Sequence, residues 1–286
     1  MSKIVTIKND FLTVEINSFG AELHSIKDKN GVDFLYDGDP SIWAGRAPLL
    51  FPICGSLKNE TYTHEGKEYT LPQHGFAKAE EFEVVEEDAT QAAFRLSSNE
   101  RLKKVYPFDF NYYVTFSLFK NTITVEYRME NPSDEKLYFS CGSHEAFATP
   151  GGVEEYSLIF DKNVTLENTM LEGPLVTNEK FTLLENSNEL KLQNDFFKYD
   201  TLVFENVDFS ATTLVHRKTG RKLRLDFEGF DNMLVWTIPD FRFLCIEPWC
   251  SPPDRITADG ILEHKEAILT CEPHKQVTRR HIITVD

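Results

Sequence analysis

The stretch best suited to chemistry is Phe241-Arg-Phe-Leu-Cys-Ile-Glu-Pro-Trp-Cys-Ser-Pro-Pro-Asp254. Its short apolar, aromatic-rich run predicts a buried or half-buried strand. Glu247 is expected at the end of that strand, because Pro248 has no N–H with which to continue the ladder. A carboxylate held there beside Trp249 is a candidate base, since an apolar neighbour disfavours the charged form and raises the pKa. The alternative is a solvated carboxylate with no role in chemistry.

Two histidines lie in settings that suggest contact with a ligand. Pro72 and Gly75 predict a bend that projects the imidazole of His74 off the chain. Small residues precede His144 in Ser140-Cys141-Gly142-Ser143, and they allow a ligand or another backbone to approach closely. A lone histidine is more often a hydrogen-bonded structural residue. That structural role is our interpretation of the other six: His24, His64, His216, His264, His274 and His281.

Three more charged residues could bind a ligand. Arg46 lies in an apolar segment and needs a partner, because an unpaired buried charge is costly. That partner could be a structural carboxylate, or the hydroxyls or phosphate of a ligand. Asp200 precedes an apolar run and could equally be a turn carboxylate. Lys78, with Arg46, is the available candidate for holding a phosphate group.

Composition excludes several classes of protein. The 286 residues carry a formal net charge of −16 and a pI near 5.0, which argues against nucleic acid or an anionic membrane as a partner. The N-terminus lacks the apolar core of a signal peptide and no run is long enough to span a bilayer, so we expect a soluble, cytoplasmic protein. The five cysteines form no C-x-x-C pair, which predicts reduced thiols rather than disulfides or a thiolate zinc site.

The common motifs for nucleotide binding, serine nucleophiles and zinc do not occur in this sequence. There is no G-x-G-x-x-G, P-loop or G-x-S-x-G, and the His144-Glu145 pair has Ala148 where the helical zinc motif needs a second histidine. We therefore expect neither a metal nor a cofactor.

Alternating apolar and polar residues dominate the chain and predict strands at residues 12–16, 112–118, 123–129, 223–227, 233–238, 241–247, 267–271 and 277–285. Helical periodicity is scarce; residues 98–106 could form one or two turns and residues 42–44 another. Many evenly spaced strands with almost no helix predict an all-β fold, a large antiparallel β-sandwich, with residues 1–286 as one domain. In such a fold, residues distant in sequence can line one concave face.

Five segments, taken together and in this order, resemble the aldose 1-epimerases, the galactose mutarotase-like proteins. They are Trp43…Arg46-x-Pro-Leu-Leu-Phe-Pro, His74-Gly-Phe-Ala, Gly142-Ser-His144…Phe147, Tyr199-Asp200 and Cys245-Ile-Glu247-Pro-Trp. The similarity covers nearly the whole chain. It is closest to the subgroup associated with lactose and galactose operons, and next closest to the hexose-6-phosphate mutarotases.

The resemblance implies a β-supersandwich that binds a sugar in a cleft on one curved sheet and needs no cofactor. It implies that Glu247 is the general base and His144 the general acid, with His74 hydrogen bonding near the ring oxygen. Arg46 and Asp200 would bind sugar hydroxyls. Trp249, with Trp43, is a candidate for stacking on the sugar ring.

Four functions therefore remain open at this point. The first is a mutarotase that interconverts the α and β anomers of a free aldohexose, and the second is the same chemistry on a hexose 6-phosphate. The third is a non-catalytic carbohydrate-binding protein. The fourth is a glycosidase that uses Glu145 and Glu247 as its carboxyl pair, which would require a separation of about 5–5.5 Å or about 6.5–9.5 Å.

Overall fold

The computed structural model describes residues 2–198 and 200–286, and antiparallel strands make up most of that chain. The strands are β1 Ile4–Lys8, β2 Leu12–Asn17, β3 Glu22–Asp28, β4 Thr61–His64, β5 Lys67–Thr70, β6 Glu83–Glu87, β7 Gln91–Ser97, β8 Asn111–Phe119, β9 Thr122–Glu130, β10 Leu137–Phe139, β11 Ala146–Ala148, β12 Tyr156–Glu172, β13 Leu175–Lys191, β14 Leu202–Glu205, β15 Ala211–His216, β16 Lys222–Asp226, β17 Asn232–Trp236, β18 Phe243–Trp249, β19 Leu269–Cys271 and β20 Gln276–Val285. Short 3₁₀ helices span Lys58–Glu60, Ala77–Ala79, Leu102–Lys104, Val153–Glu155, Asn194–Phe197 and Leu262–His264. No helix in the described residues is long and apolar enough to cross a bilayer.

Two sheets organise the molecule. The larger sheet has nine strands in the order β13-β12-β15-β16-β20-β9-β8-β7-β6, and the smaller has four in the order β11-β18-β17-β14. Buried side chains from both sheets belong to one connected apolar cluster, which includes Val114, Val125, Val235 and Ile246. The two sheets therefore pack through a shared core, which confirms the predicted large antiparallel β-sandwich.

The hairpin β8–β9 shows why the alternation pattern predicts strands well here. Even-numbered residues of β8 and odd-numbered residues of β9 are buried, and their neighbours are half-exposed. Leu118 pairs with Ile123 beside the turn that joins the two strands. A period of two places alternate apolar side chains, such as Val114 and Val125, on the core face, so the register of this hairpin is fixed by burial.

The small sheet is buried on both faces, and this positions the site. Every residue of β18 is buried. Leu244 and Ile246 point into the main core, whereas Cys245 and Glu247 lie on the opposite face because side chains alternate along a strand. Glu247 pairs with Leu234 of β17 in this sheet. A strand whose sequence is almost entirely apolar can thus hold a buried acidic residue in its middle.

The structure corrects the predicted end of β18. The strand continues through Pro248 to Trp249, which pairs with Asn232, so Glu247 is not the last residue of the strand. Proline lacks only a donor, and the Pro248 carbonyl still accepts a hydrogen bond from the Ser143 amide at 3.2 Å. Glu247 is therefore held in a fixed position by a paired strand rather than at the end of one.

The longest strands were missed by the sequence prediction. The hairpin β12–β13 spans two 17-residue strands, with four register shifts between Ile159 and Leu171. Such shifts interrupt the regular pairing of the two strands and disturb the period of two. The predicted turn at residues 98–106 is present as a 3₁₀ helix, Leu102–Lys104, and Asn99 Oδ1 accepts the backbone amides of Arg101 and Leu102 at its start.

Candidate active site

A cleft of about 570 Å³ lies against the outer face of the four-stranded sheet. Its walls combine β17 and β18 with loops and strand ends from distant parts of the chain. The lining residues are Glu22, Trp43, Ala44, Gly45, Pro48, Gly55, Gln73, His74, Lys78, His144, Leu171, Pro174, Asp200, Thr201, Leu234, Trp236, Glu247, Trp249 and Pro253. Of the seven site residues predicted from sequence, the cleft brings six together, and Arg46 is not among them.

The imidazole of His144 and the carboxyl of Glu247 meet at the floor of the cleft. His144 Nε2 lies 3.4 Å from Glu247 Oε2. The two residues are 9% and 1% exposed, and both His144 Nδ1 and Glu247 Oε2 are buried without a hydrogen-bond partner. Buried polar atoms normally have partners, so these two unpaired atoms mark the floor of the cleft as a candidate binding site. Residue 142 is glycine because a Cβ there would lie 2.9 Å from the Pro248 carbonyl oxygen.

Burial displaces the pKa values of this pair in opposite directions. Burial lowers the pKa of His144 to about 4. Burial, reinforced by the nearby Glu145 carboxylate, raises the pKa of Glu247 well above its usual value. At a pH between these two pKa values the pair binds one titratable proton, and so has one donor and one acceptor.

His74 lies beside this pair in a strained turn. Its φ of 67° is unusual for a residue with a side chain, and Gly75 donates back to the Pro72 carbonyl at 2.8 Å. His74 Nδ1 accepts a hydrogen bond from the Gly55 amide at 3.1 Å, which leaves the proton of the neutral ring on Nε2. Burial, and then the proximity of His144, keeps the pKa of His74 well below 6.5. His74 is therefore a neutral hydrogen-bond donor.

Aromatic side chains wall the cleft around His144. The His144 ring lies 5.3 Å from Trp43 and 5.8 Å from Trp236, centroid to centroid. Both tryptophans are only partly buried and offer apolar surface to a ligand. Trp249 is 3% exposed, packs edge-on against His74 at 5.3 Å and donates its indole N–H to the Ser143 carbonyl. Trp249 lines the cleft, but its small exposed area favours supporting His74 over stacking on a sugar.

Asp200 and Lys78 lie at the cleft as predicted. Asp200 has a φ of 96°. Burial raises the pKa of its carboxyl, and this effect outweighs the hydrogen bond accepted from Trp236, which lowers the pKa. Lys78 donates through Nζ to the Gln73 carbonyl at 3.0 Å, and burial lowers its pKa. Both side chains are polar groups that a sugar hydroxyl could reach.

Arg46 lies outside the cleft lining. Its guanidinium donates to the His24 carbonyl at 2.6 Å and packs over Gly38. The backbone carbonyl and amide of Arg46 join β11 and β3, since they bond to the Ala146 amide and to Glu22. The structure thus gives this residue a structural partner, and its role in binding sugar hydroxyls stays a prediction.

Two lining residues that could contact a ligand were missed by the sequence analysis. Trp236 follows Leu234 by two positions in a predicted strand, so the two side chains lie on the same face. Because Leu234 pairs with Glu247, that face is the one that lines the cleft, and this pairing would have identified Trp236. Glu22 has no such signal. It follows Gly20 and Ala21 at the start of β3, in a separate three-stranded sheet, and only the tertiary structure brings it to the cleft.

Glu145 lies behind the cleft and does not line it. Its Oε1 is 3.0 Å from Nε2 of His281, and both side chains are almost completely inaccessible. Burial alone would raise the pKa of Glu145, but His281 outweighs it and the pKa is lowered. This arrangement removes Glu145 from contact with a substrate, and the predicted glycosidase pair of Glu145 and Glu247 finds no support in it.

In the described part of the chain, one set of side chains could hold a metal ion. Ligand atoms of His144, Cys245 and Glu247 lie within 4.8 Å of one another. Burial raises the pKa of the Cys245 thiol well above its usual value, which opposes the thiolate that a metal would require. The geometry of His144 and Glu247 suits proton transfer to a ligand more directly.

Several known proteins resemble this chain in sequence and in fold. A model of the aldose 1-epimerase family matches residues 3–276. The protein LacX (plasmid) of Lactococcus lactis subsp. lactis is 32% identical over 98% of this chain and 99% of its own length. A galactose mutarotase related enzyme from Lactobacillus acidophilus is 32% identical, with a TM-score of 0.93 over 99% of this chain and 97% of that one. A galactose mutarotase-like protein from Lactobacillus casei has the same fold, with a TM-score of 0.92 at 23% identity over 99% of this chain and 100% of that one. The chain belongs to the aldose 1-epimerase family, as its motifs predicted.

Proposed function

We propose that this protein is a mutarotase that interconverts the α and β anomers of an aldohexose. The observation that carries the proposal is the 3.4 Å approach of His144 Nε2 and Glu247 Oε2 in a cleft large enough for one sugar ring. Anomer exchange requires one proton acceptor and one proton donor and no other chemistry. Membership of the aldose 1-epimerase family supports the same reaction type.

In the proposed mechanism Glu247 takes the proton of the C1 hydroxyl while His144 gives a proton to the ring oxygen. The C1–O5 bond breaks and leaves an open-chain aldehyde with a hydroxyl at C5. Rotation about C1–C2 presents the other face of the aldehyde. The C5 hydroxyl then attacks C1 and returns its proton to His144, while the new C1 oxygen recovers the proton held by Glu247.

The electrostatics of the cleft suit this exchange. In the unliganded protein, burial favours a neutral pair with the single proton on Glu247. Sugar hydroxyls can hydrogen bond to a carboxylate and to an imidazolium, so substrate binding offsets the cost of charging the pair. In this mechanism His74 Nε2–H donates a hydrogen bond near the ring oxygen and stabilises negative charge that develops there. General acid–base catalysis of this kind is worth about 10²- to 10⁴-fold per group.

The alternative substrate, a hexose 6-phosphate, would use a phosphate clamp made by Lys78 and Arg46. Only Lys78 lines the cleft, and the Arg46 guanidinium donates to the His24 carbonyl instead. A free aldohexose therefore fits the described cleft better.

Polarimetry on freshly dissolved α-glucose and α-galactose, and exchange NMR on their 6-phosphates, test the proposal. We expect the wild type to accelerate anomer exchange and Glu247→Gln to lose about 10²- to 10⁴-fold in kcat/KM. Glu179→Gln is a matched control, because Glu179 is exposed and outside the cleft. Binding of sugars without any acceleration of exchange would instead identify a non-catalytic carbohydrate-binding protein.

A further inference from the structure

Glu22 is a cleft residue that the proposed chemistry does not use. It opens β3, where it pairs with Asn17, and its side chain is 19% exposed at the cleft. The carboxylate is close enough to His144 to favour the charged form of that imidazole. An acidic group that is mostly withdrawn from water must gain enough from its partners to stay in place.

One of the two oxygens of the Glu22 carboxylate already has its hydrogen-bond partners. Oε1 accepts the backbone amides of Arg46 and Ala47, both at 2.9 Å. These two bonds fix the side chain in one orientation, as a ligand-binding group requires. Burial opposes ionisation of Glu22, but His24 and the two amides hold its pKa below the usual value, so the group is an anion at neutral pH.

The other carboxylate oxygen of Glu22, Oε2, can still accept hydrogen bonds. Within residues 2–198 and 200–286, the ion-pair partner of Oε2 is His24 Nε2 at 3.7 Å, which is beyond the range of a normal hydrogen bond. A carboxylate oxygen can accept two hydrogen bonds. Oε2 is therefore a fixed, charged acceptor at the cleft, with room for a donor from a ligand.

We propose that Glu22 is a specificity-determining residue, whose Oε2 accepts a hydrogen bond from one hydroxyl of the bound aldose. This inference rests on the proposed function and deepens it by naming the group recognised at this wall. A neutral hydroxyl can donate to a carboxylate, whereas a phosphate dianion cannot and is repelled. Of the Lys and Arg residues in the described chain, only Lys78 lines the cleft, so a single cation is available there to offset that repulsion.

Glu22→Gln separates this role from a structural one. The glutamine carbonyl can still accept the amides of Arg46 and Ala47, but its NH₂ group replaces Oε2 and donates instead of accepting. We expect thermal stability close to wild type and a loss of about 10-fold or more in kcat/KM, mainly through KM, because the bond forms in the ground state too. Glu15→Gln in the adjacent strand β2 is the matched control, since Glu15 is half-exposed and outside the cleft.

A panel of 2-, 3-, 4- and 6-deoxyhexoses identifies the hydroxyl. Wild type and Glu22→Gln are compared on each sugar, both by anomer exchange and by the dissociation constant from calorimetry. We expect one deoxy sugar on which the two proteins differ by less than about 2-fold, while they differ about 10-fold on the others, because only that sugar lacks the donor to Glu22. Ratios between sugars within one variant are independent of the fraction of folded protein.

The outcomes are distinguishable. Equal effects of Glu22→Gln on every sugar, or no effect on any, would overturn the assignment of Glu22 even if exchange is accelerated. Tighter binding of 6-phosphates than of free hexoses by wild type would also overturn it. If exchange is not accelerated for any sugar, the proposed function fails, and the dissociation constants still decide the role of Glu22.

Discussion

The buried pair of Glu145 and His281 offers a sharp test of how the site is supported. Oε1 of Glu145 lies 3.0 Å from Nε2 of His281, and the side chains are 2% and 0% exposed. Tyr127 OH approaches the other ring nitrogen of His281 at 3.4 Å. Breaking a fully buried pair by removing one partner costs about 3–5 kcal/mol, since the remaining group stays desolvated.

For Glu145→Gln this cost converts into a large change in melting temperature. Unfolding entropy is about 2.1 cal/mol/K per residue, or about 0.6 kcal/mol/K for a chain of this length, so Tm should fall by about 5–8 °C. Calorimetry and urea titration measure the change independently. The double variant Glu145→Gln, His281→Gln should recover part of the loss, because it removes both members of the pair.

The same substitution should move the pH dependence of activity. The Glu145 carboxylate is one cause of the raised pKa of Glu247, after burial. Without it Glu247 loses its proton at a lower pH, so the high-pH limb of the kcat/KM profile should shift to lower pH.

The stability difference between wild type and Glu145→Gln depends on pH with a defined sign. The folded pKa of Glu145 is lowered below its ordinary value of 4.5, so its contribution is fully present above about pH 4.5 and is lost as pH falls through the folded pKa. A Tm change below about 2 °C, or a difference that grows on acidification below pH 4.5, would refute the reasoning.

Three further outcomes are expected. The pH profile of kcat/KM should be bell-shaped, falling as His144 gains a proton near pH 4 and again as Glu247 loses its proton at a pKa well above 4.5, as measured by exchange NMR after subtracting buffer catalysis. His74→Asn, which tolerates the positive φ but removes the Nε2 donor, should lower kcat about 10²-fold with the melting temperature little changed; a loss confined to KM would contradict the assigned role. Gly75→Ala should destabilise by about 3 kcal/mol or more in urea titrations, because its Cβ would lie 2.3 Å from a carbonyl oxygen at a φ of 69°. Gly66→Ala, with a similar φ and open space, should cost only about 1–2 kcal/mol, and equal losses for the two would show that the close contact is harmless.

The alternation of apolar and polar residues predicted the strands correctly where a strand buries only one of its faces. Strands β8, β9 and β20 alternate strictly, and their register follows from the period of two. The same rule fails for the β12–β13 hairpin, whose register shifts scramble the pattern. It also misplaced the end of β18, since a proline removes one donor from a ladder without ending it.

The sequence by itself determined the candidates for the site. Motif context singled out His74, His144 and Glu247, and the structure brings all three to one cleft. Residue types also predicted proton transfer without a cofactor, because a carboxyl and an imidazole are complementary acid–base groups. The domain extent and the catalytic roles stay predictions for the experiments above.

Only the tertiary structure decided the environment of those residues. The opposed pKa values of His144 and Glu247 come from burial, which no local pattern encodes. Arg46 was expected at the cleft, yet the His24 carbonyl that holds its guanidinium is supplied by another strand. Glu22 reaches the cleft from a separate sheet for the same reason. Contacts between segments remote in sequence are set by packing, and packing is a property of the whole fold.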